Sequence, residues 1–298
     1  MMYHQPVLLN ECIEGLKIDP NGTYVDVTYG GGGHSKAILA QLKGGRLIAF
    51  DQDEAAEKNK ADTSKLIFVR QNFKYLKNYL RLHNALPVNG ILADLGVSSH
   101  QFDTAERGFS TRFEAELDMR MDTNSQKSAK MVLNEFSEEQ LKEIFKVYGE
   151  IPNASKLAYR IVHERKLKPI NKVSELKNII APLVTRGKEN QYLAQVFQAL
   201  RIEVNNEMQV LKELLVQSLE VLDKGGRLVV ISYHSLEDRL VKHFMRKGKF
   251  EGEVEKDFFG NSLVPFELIT KKPIIPGAAE MEQNTRSRSA KLRIAEKL

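Results

Sequence analysis

Four consecutive glycines, 30–33, separate an apolar segment from a predicted helix that begins near His34. Glycine lets the backbone turn sharply and approach a ligand closely, and the free N–H groups of the first helical turn point at that ligand. Asp51 ends the next apolar segment, where a carboxylate can accept hydrogen bonds from ribose hydroxyls. Strand, turn, helix, strand and terminal aspartate occur in the order of a nucleotide-type cofactor site, which disfavours a plain glycine-rich surface turn.

The spacing of these glycines does not by itself identify which cofactor the site would bind. A dinucleotide site follows the pattern G-x-G-x-x-G, and from Gly30 this pattern gives Gly32 and then Ser35, so the third glycine is missing. S-adenosylmethionine (SAM) has no pyrophosphate, needs only a looser glycine turn and still offers a ribose to Asp51. The pattern therefore weakens the case for NAD without excluding it, and it fits SAM.

A polar segment, 94–99, follows another apolar run. Methyl transfer depends mainly on alignment of the acceptor atom with the methyl carbon, and the side chains of this segment could position the acceptor. Methylation of a pyrimidine carbon needs a cysteine nucleophile, and Cys12, the only cysteine, has the setting of a small core residue. An exocyclic amine instead needs hydrogen-bond acceptors around its N–H groups. Asp94 and Ser98 are candidates for orienting such an amine, and Asp94 could equally bind the cofactor.

The elements that would position these residues alternate between strands and helices. Segments rich in β-branched and apolar residues predict strands over 23–28, 46–51, 66–70, 90–94 and 226–232. Helices are predicted between the first four, over 35–43, 53–60 and 75–83. This alternation favours a parallel α/β sheet, whose ligands bind at the carboxyl ends of the strands. The glycine turn, Asp51, the polar segment and Phe73, which could pack on adenine, all fall at those ends.

The fourth and fifth strands are too far apart for one crossover helix. A crossover helix is predicted over 205–222, which leaves an insertion with helical patterns over 137–148, 153–165, 173–184 and 192–201. We predict a core formed by 1–103 and 203–298, with a helical substrate-recognition domain inserted over 104–202. Residues 292–295 are predicted to form a last, edge strand.

Charge is concentrated near the end of the chain. The net charge of 298 residues is +5, and residues 239–298 contain 13 Lys and Arg against 8 Asp and Glu. This excess favours an anionic partner such as nucleic acid, with a solvated basic tail as the alternative. Candidate RNA-binding residues are Arg107, Arg120, Arg201, His234, Arg286 and Arg288.

The cysteine count and the distribution of apolar residues limit the class of protein and its cellular location. A single cysteine excludes an intrachain disulfide and a cysteine zinc site and fits a reducing cytosol. The N-terminus lacks the basic and then apolar pattern of a secretory signal, and no apolar stretch approaches the roughly 20 residues that span a bilayer. We expect a cytoplasmic protein with no metal and no membrane contact.

Eight segments together resemble the family of bacterial ribosomal RNA small subunit methyltransferase H. They are HQPVLLNE at 4–11, GGGGHS at 30–35, DLGVSS at 94–99, ERGFS at 106–110, LDMRMD at 117–122, FQALRI at 197–202, ISYHSLEDR at 231–239 and RSRSAKLRI at 286–294. These segments span nearly the whole chain, and their combination is highly specific.

The resemblance implies a Rossmann-like, SAM-dependent methyltransferase with an inserted helical domain that helps hold RNA. The implied reaction is methylation of the N4 amine of a cytidine in the decoding (P-site) region of 16S rRNA, presented by the 30S subunit or a late assembly intermediate. The implied SAM contacts are Gly32, Gly33, His34, Asp51, Phe73, Asp94 and Gln101. The sequence does not decide between a monomer and a homodimer.

Three alternatives remain open at this point. A DNA cytosine-N4 or adenine-N6 methyltransferase would act on DNA oligonucleotides without rRNA. An NAD-dependent oxidoreductase would bind NAD and not SAM. An RNA-binding assembly factor with a vestigial pocket would bind RNA tightly and have no SAM affinity, although the intact glycine turn and Asp51 argue against it.

Overall fold

The computed structural model describes residues 6–260 and 262–298, so His4 and Gln5 of the first resembling segment lie outside the described residues. The chain folds into two compact units. The first, the core unit, joins the residues up to Gly96 to Met208–Leu298, and the second, the insertion, is Val97–Glu207. No helix of the described part is both long and apolar enough to cross a membrane.

The core unit is built on one seven-stranded sheet. Its strands are β1 (Thr23–Asp26), β2 (Arg46–Phe50), β3 (Leu66–Val69), β4 (Val88–Asp94), β5 (Leu222–Ser232), β6 (Phe266–Leu268) and β7 (Lys291–Lys297). Their spatial order is β3-β2-β1-β4-β5-β7-β6. The first five pair in parallel, and β7 runs antiparallel to both of its neighbours. The predicted, mostly parallel α/β fold is confirmed, and the strand order reverses between β1 and β4, which is where such sheets bind ligands.

The helices cover the sheet and make up the insertion. They are α1 (Leu9–Leu16), α2 (Gly33–Gln41), α3 (Glu54–Glu57), α4 (Leu76–Leu82), α5 (Ser99–Asp103), α6 (Ala129–Glu135), α7 (Glu138–Val147), α8 (Ala154–Arg165), α9 (Val173–Ile180), α10 (Glu189–Asn205), α11 (Glu207–Val221), α12 (Ser235–Lys247) and α13 (Ala278–Gln283). The helical segments predicted from the sequence are therefore present. The predicted helix over 53–60 is shorter, because the Tyr29 hydroxyl donates to Asn59 O and accepts from Ala61 N just beyond α3.

Both faces of the sheet are buried, and neighbouring residues of each strand serve opposite faces. In β1, Val25 packs into a cluster with α4, α11 and α12, whereas Tyr24 packs into a cluster with α1 and α2. Because both faces of the sheet are buried, the strand sequences are continuous apolar runs and do not alternate between apolar and polar residues.

The strand predicted over 292–295 is present as β7, but the prediction that it lies at the edge is wrong. The short strand β6 pairs on its outer side, with Phe266 opposite Lys297 and Leu268 opposite Ala295. The basic end of the chain is also not simply a solvated tail. Arg293 donates to Asp238 at 2.7 Å, so part of the positive charge is neutralised within the fold.

The insertion has a hydrophobic core of its own, formed largely by α6–α10. Its limits differ by a few residues from the predicted 104–202. Val97 and Phe102 pack against the insertion's core, and Asn205 donates to Met119 O at 2.8 Å. The insertion therefore begins at Val97 and ends at Glu207, a few residues outside the predicted limits at each end.

Candidate cofactor site at the carboxyl edge of the sheet

The glycine turn after β1 adopts a backbone that other residues rarely reach. Gly30 and Gly32 have φ values of 51° and 75°, in the left-handed region that favours glycine. A Cβ on Gly32 would lie 2.7 Å from the Tyr29 hydroxyl, and one on Gly33 would lie 2.2 Å from Pro6 Cγ. Gly32 is the N-cap of α2, and no described side chain caps that helix. The first N–H groups of α2 are thus available to an anionic or polar ligand group.

Asp51, directly after β2, is tied to the glycine turn. Its Oδ2 accepts from Gly30 N at 2.8 Å, and its Oδ1 accepts from Asp53 N at 2.9 Å. A carboxylate has about four acceptor positions, so these two bonds fix its orientation and leave capacity for two ribose hydroxyls. Burial raises the pKa of Asp51 to about 6, although the two backbone N–H groups lower it in part.

This raised pKa predicts that SAM affinity depends on pH. The pKa of Asp51 lies above its ordinary 3.8, so the carboxyl group takes up a proton as the pH falls through about 6. Only the ionised form accepts from both ribose hydroxyls, so we expect full affinity above about pH 7 and a loss approaching about tenfold per pH unit well below 6. Calorimetric titration with SAM from pH 5 to pH 8, at one constant ionic strength so that salt screening does not change with pH, checks this.

The matched control for the pH experiment is Asp51→Asn, which cannot titrate. The variant should bind SAM with an affinity that is nearly constant over the same pH range. If its affinity falls below pH 6 as steeply as that of the parent protein, another group causes the pH dependence.

Phe73 lies at the same edge, after β3. It begins a short 3₁₀ turn, Phe73–Tyr75, and its partly buried side chain packs against the core of the sheet. The neighbouring Asn72 donates to Gln52 Oε1 at 2.8 Å and so links the ends of β2 and β3. The structure therefore brings Phe73 and Asp51 to adjacent strand ends, as the sequence predicts.

Asp94, the last residue of β4, connects three strand ends. Its Oδ1 accepts from the Tyr233 hydroxyl at 2.7 Å, its backbone N–H donates to Thr28 Oγ1 at 2.7 Å, and its Oδ2 lies 3.8 Å from His34 Nδ1. Burial raises the pKa of Asp94, and the nearby His34 and Tyr233 partly oppose this rise. A buried carboxylate held in this way can accept a proton or a hydrogen bond from a ligand.

His34 and Asp26 line the beginning of α2. The His34 ring is buried, and its Nε2 lies 3.0 Å from Val7 O, so this nitrogen is assigned the proton. Asp26 is also buried and accepts from Ser35 Oγ at 2.6 Å. Asp26 and Tyr233 were not predicted from the sequence, although Asp26 ends β1 and Tyr233 directly follows β5. A polar residue at the end of an apolar strand is the signal that identified Asp94.

Ser98 and Gln101 lie in the insertion, and both are used to cap α5. The Ser98 backbone N–H donates to Gln101 Oε1 at 3.1 Å, and the Gln101 backbone N–H donates to Ser98 Oγ at 3.2 Å. This reciprocal arrangement is a capping box. Their roles toward the amine and toward SAM stay predictions.

The three candidate arginines of the insertion have partners within the fold. Arg107 donates to two backbone carbonyl oxygens of a nearby loop. Arg120 makes two hydrogen bonds to Asp118, at 2.8 and 2.7 Å, and Arg201 makes two to Glu207, both at 2.8 Å. In this structure the three guanidinium groups stabilise the insertion itself.

The other RNA-binding candidates lie in the core unit. His234 is the N-cap of α12, with Nδ1 accepting from Glu237 N at 3.4 Å. Arg286 and Arg288 lie in a 3₁₀ turn, Thr285–Ser289, where Arg288 is exposed and Arg286 half-buried. Because Lys291 of β7 pairs with Ser232 of β5, this turn lies at the carboxyl edge of the parallel strands, the edge that holds the predicted cofactor site.

Comparison with known proteins finds similarity over the whole chain. A family model described as the MraW methylase family matches residues 1–298. A protein named Ribosomal RNA small subunit methyltransferase H from Christiangramia forsetii is 56% identical over 299 residues, covering 100% of this chain and 99% of its own. A protein of the same name from Bacteroides thetaiotaomicron is 56% identical over 298 residues, covering 100% and 98%. Among solved structures, a rRNA methylase from Streptococcus thermophilus is 14% identical with a TM-score of 0.42, covering 97% of this chain and 93% of its own.

Proposed function

This chain belongs to the MraW methylase family, and we propose on that premise that it methylates ribosomal RNA of the small subunit. In detail, we propose transfer of a methyl group from SAM to the exocyclic N4 amine of one cytidine in the decoding (P-site) region of 16S rRNA. The main structural support for this proposal is the hydrogen bond from Gly30 N, in the glycine turn, to Asp51 Oδ2 at the carboxyl edge of the sheet. The full-length similarity to proteins named as rRNA methyltransferases supports it.

The methyl donor of this enzyme is SAM, and the residues at the sheet edge fit it. Asp51 offers two oriented oxygens to ribose hydroxyls, the uncapped beginning of α2 offers N–H groups to a carboxylate, and Phe73 offers a ring to adenine. We propose SAM contacts for Gly32, Gly33, His34, Asp51, Phe73, Asp94 and Gln101.

For the acceptor, we propose that Asp94 and Ser98 orient the N4 amine. The lone pair of this nitrogen is conjugated with the cytosine ring, and an acceptor that binds an N–H group favours a pyramidal nitrogen with an available lone pair. SAM supplies a methyl group bonded to a positively charged sulfur. As the N–C bond forms and the S–C bond breaks, N4 becomes cationic and releases a proton, which the buried carboxylate of Asp94 can accept.

The test is methyl transfer from labelled SAM to 30S subunits prepared from cells that lack this protein. We expect one methyl group per subunit, and mass mapping of the digested RNA should find N4-methylcytidine at a single decoding-site position. Free 16S rRNA and late assembly intermediates, assayed in parallel, identify the form of the substrate. Methylation of DNA oligonucleotides with no incorporation into any rRNA form would contradict the proposal.

We further propose that Arg288, with Arg286, contacts RNA phosphate, because both lie at the same sheet edge as Asp51 and Asp94. Replacing Arg288 with alanine should weaken binding to 30S subunits and reduce the slope of log affinity against log salt by about 0.7–0.9 for each lost phosphate contact. Filter binding over a range of salt concentrations measures this slope.

The control for this prediction is Lys224→Ala, which also removes one exposed positive charge. Lys224 lies near the beginning of β5, away from the carboxyl edge of that strand, so its removal should leave the salt slope nearly unchanged. Equal slopes for the Arg288 variant and the parent protein would show that this arginine does not contact phosphate.

A further inference from the structure

One face of helix α8, in the insertion, is open to solvent. The opposite face packs into the insertion's core through Leu157, Ala158 and Ile161. Because positions three or four residues apart share a face of a helix, the exposed positions form one continuous stripe. This stripe and the residues that directly follow the helix are called here the α8 surface, which consists of Ser155, Lys156, Tyr159, His163, Lys166 and Leu167.

The charge of this part of the chain is strongly positive. Residues 154–168 contain five Lys and Arg against one Glu, a net charge of +4. That glutamate, Glu164, is half-buried, and its Oε1 lies 3.7 Å from Arg160 Nη2. Lys156 and Lys166 are exposed, and neither ammonium group has an ion-pair partner among the described residues. The α8 surface therefore presents two uncompensated positive charges, which favour an anionic partner.

An aromatic pair lies between these two lysines along the helix. Tyr159 is 61% exposed, and its ring stacks with that of His163, with centroids 6.2 Å apart and planes at 29°. Residues four apart on a helix are neighbours, so this contact orients the Tyr159 ring while much of the ring stays open to solvent. A single exposed tyrosine is ordinary, but an oriented ring between unpaired lysines is the combination that binds unpaired nucleotides.

Positive charge continues onto the neighbouring helix α7. Lys142 and Lys146, one helical turn apart, line a cavity of about 410 Å³ that Ser155 of the α8 surface also lines. One carboxylate, that of Glu150, lines the same cavity. Two ammonium groups against one carboxylate leave the neighbourhood of the α8 surface positive.

We propose that the α8 surface binds a single-stranded segment of the RNA substrate, with an unpaired base stacked on Tyr159 and phosphates bound by Lys156 and Lys166. The proposal rests on the rRNA methylation proposed above. An acidic protein partner would use the two lysines but would not need a flat, exposed ring, so charge and ring together favour RNA. The α8 surface adds RNA affinity and takes no part in methyl transfer.

The first test changes the ring in the full-length protein. Tyr159→Leu keeps an apolar side chain without a flat ring, whereas Tyr159→Phe keeps the ring. We expect the leucine variant to raise the Kd for 30S subunits from cells that lack this protein by about tenfold, and the phenylalanine variant to stay within about twofold of the parent protein. Neither substitution removes a charge, so the salt slope of binding and the KM for SAM should stay unchanged.

The second test removes the two lysines together. K156A/K166A should reduce the slope of log affinity against log salt by about 0.7–0.9 for each lost phosphate contact. The matched control is K130A/K224A, which removes the same amount of charge. Lys130 is already paired with Glu116 at 2.7 Å, and Lys224 lies near the beginning of β5, so the control should keep the salt slope of the parent protein.

Three outcomes would overturn the α8 surface. Equal Kd values for the parent, Tyr159→Leu and K156A/K166A proteins would show that RNA does not contact it. Weaker binding by the lysine variant alone, with Tyr159→Leu equal to the parent, would indicate docking against an acidic protein surface. If the parent protein neither binds nor methylates 30S subunits, the proposed function and the α8 surface are both wrong. If the parent protein methylates 30S subunits and the variants bind as it does, only the α8 surface is wrong.

Discussion

Replacing Asp51 with alanine is expected to raise the dissociation constant of SAM about 5- to 150-fold at pH 8, equivalent to roughly 1–3 kcal/mol for the loss of two ribose hydrogen bonds. Asp51 directly follows β2 and is oriented by the backbone N–H groups of Gly30 and Asp53. Its carboxylate is therefore already in position before SAM binds, and little ordering opposes the new hydrogen bonds. Isothermal titration calorimetry of the purified protein measures the change.

The Asp51 variant also loses the bond that holds the glycine turn, so a control must separate binding from folding. Asp53→Ala removes a nearby carboxylate that caps α3 through Ala55 N, and it should lower the free energy of unfolding by about 1 kcal/mol. Its SAM affinity should change far less than that of Asp51→Ala. Unchanged SAM affinity in Asp51→Ala would show that this carboxylate does not bind the ribose.

The second large effect concerns Asp94. Asp94→Asn keeps an oxygen that can accept from the Tyr233 hydroxyl, as Oδ1 does at 2.7 Å in the parent protein, but it removes the negative charge and the proton-accepting group. We expect kcat for 30S methylation to fall about 100-fold or more, while the Kd for SAM changes less than about threefold, because the amide oxygen can still accept the hydrogen bond of the proposed SAM contact. Single-turnover assays at saturating SAM, together with SAM titration, separate the two quantities.

Tyr233→Phe is the companion variant, because it removes the hydroxyl donor and leaves the carboxylate of Asp94 in place. We expect its kcat to fall by about tenfold or less, since one hydrogen bond to a charged group is lost. If Asp94→Asn instead weakens SAM binding as much as Asp51→Ala and keeps its kcat at saturating SAM, then Asp94 binds the cofactor and does not act on the amine.

The strands and helices of the core could be predicted because their signals are local. Apolar runs ending in glycine or aspartate define β1, β2 and β4, and strand ends of a parallel sheet necessarily meet at one edge. The convergence of Gly30, Asp51, Phe73 and Asp94 on one edge followed from those two facts alone.

The features that the sequence did not predict depend on contacts between distant parts of the chain. The hydroxyl of Tyr233 reaches a carboxylate 139 residues earlier, and no local pattern marks that pairing. The three-residue β6 is too short to show an alternating pattern, so β7 was placed at the edge of the sheet. The partners of the insertion's arginines were not predictable either, because a sequence shows the charge of a guanidinium group but not the carboxylates and carbonyls that surround it in the fold. Phosphate contact by these arginines stays a prediction.

The placement of β7 between β5 and β6 has a consequence for synthesis on the ribosome. Ser232 at the end of β5 faces Lys291, which is made 59 residues later, a delay of about 3–12 s at the usual rates of translation. During that interval β5 presents an unpaired edge to other chains. The insertion, in contrast, draws its hydrophobic core from one uninterrupted stretch. We therefore expect nascent chains to be most prone to aggregation after β5 has emerged and before β7 has closed its edge.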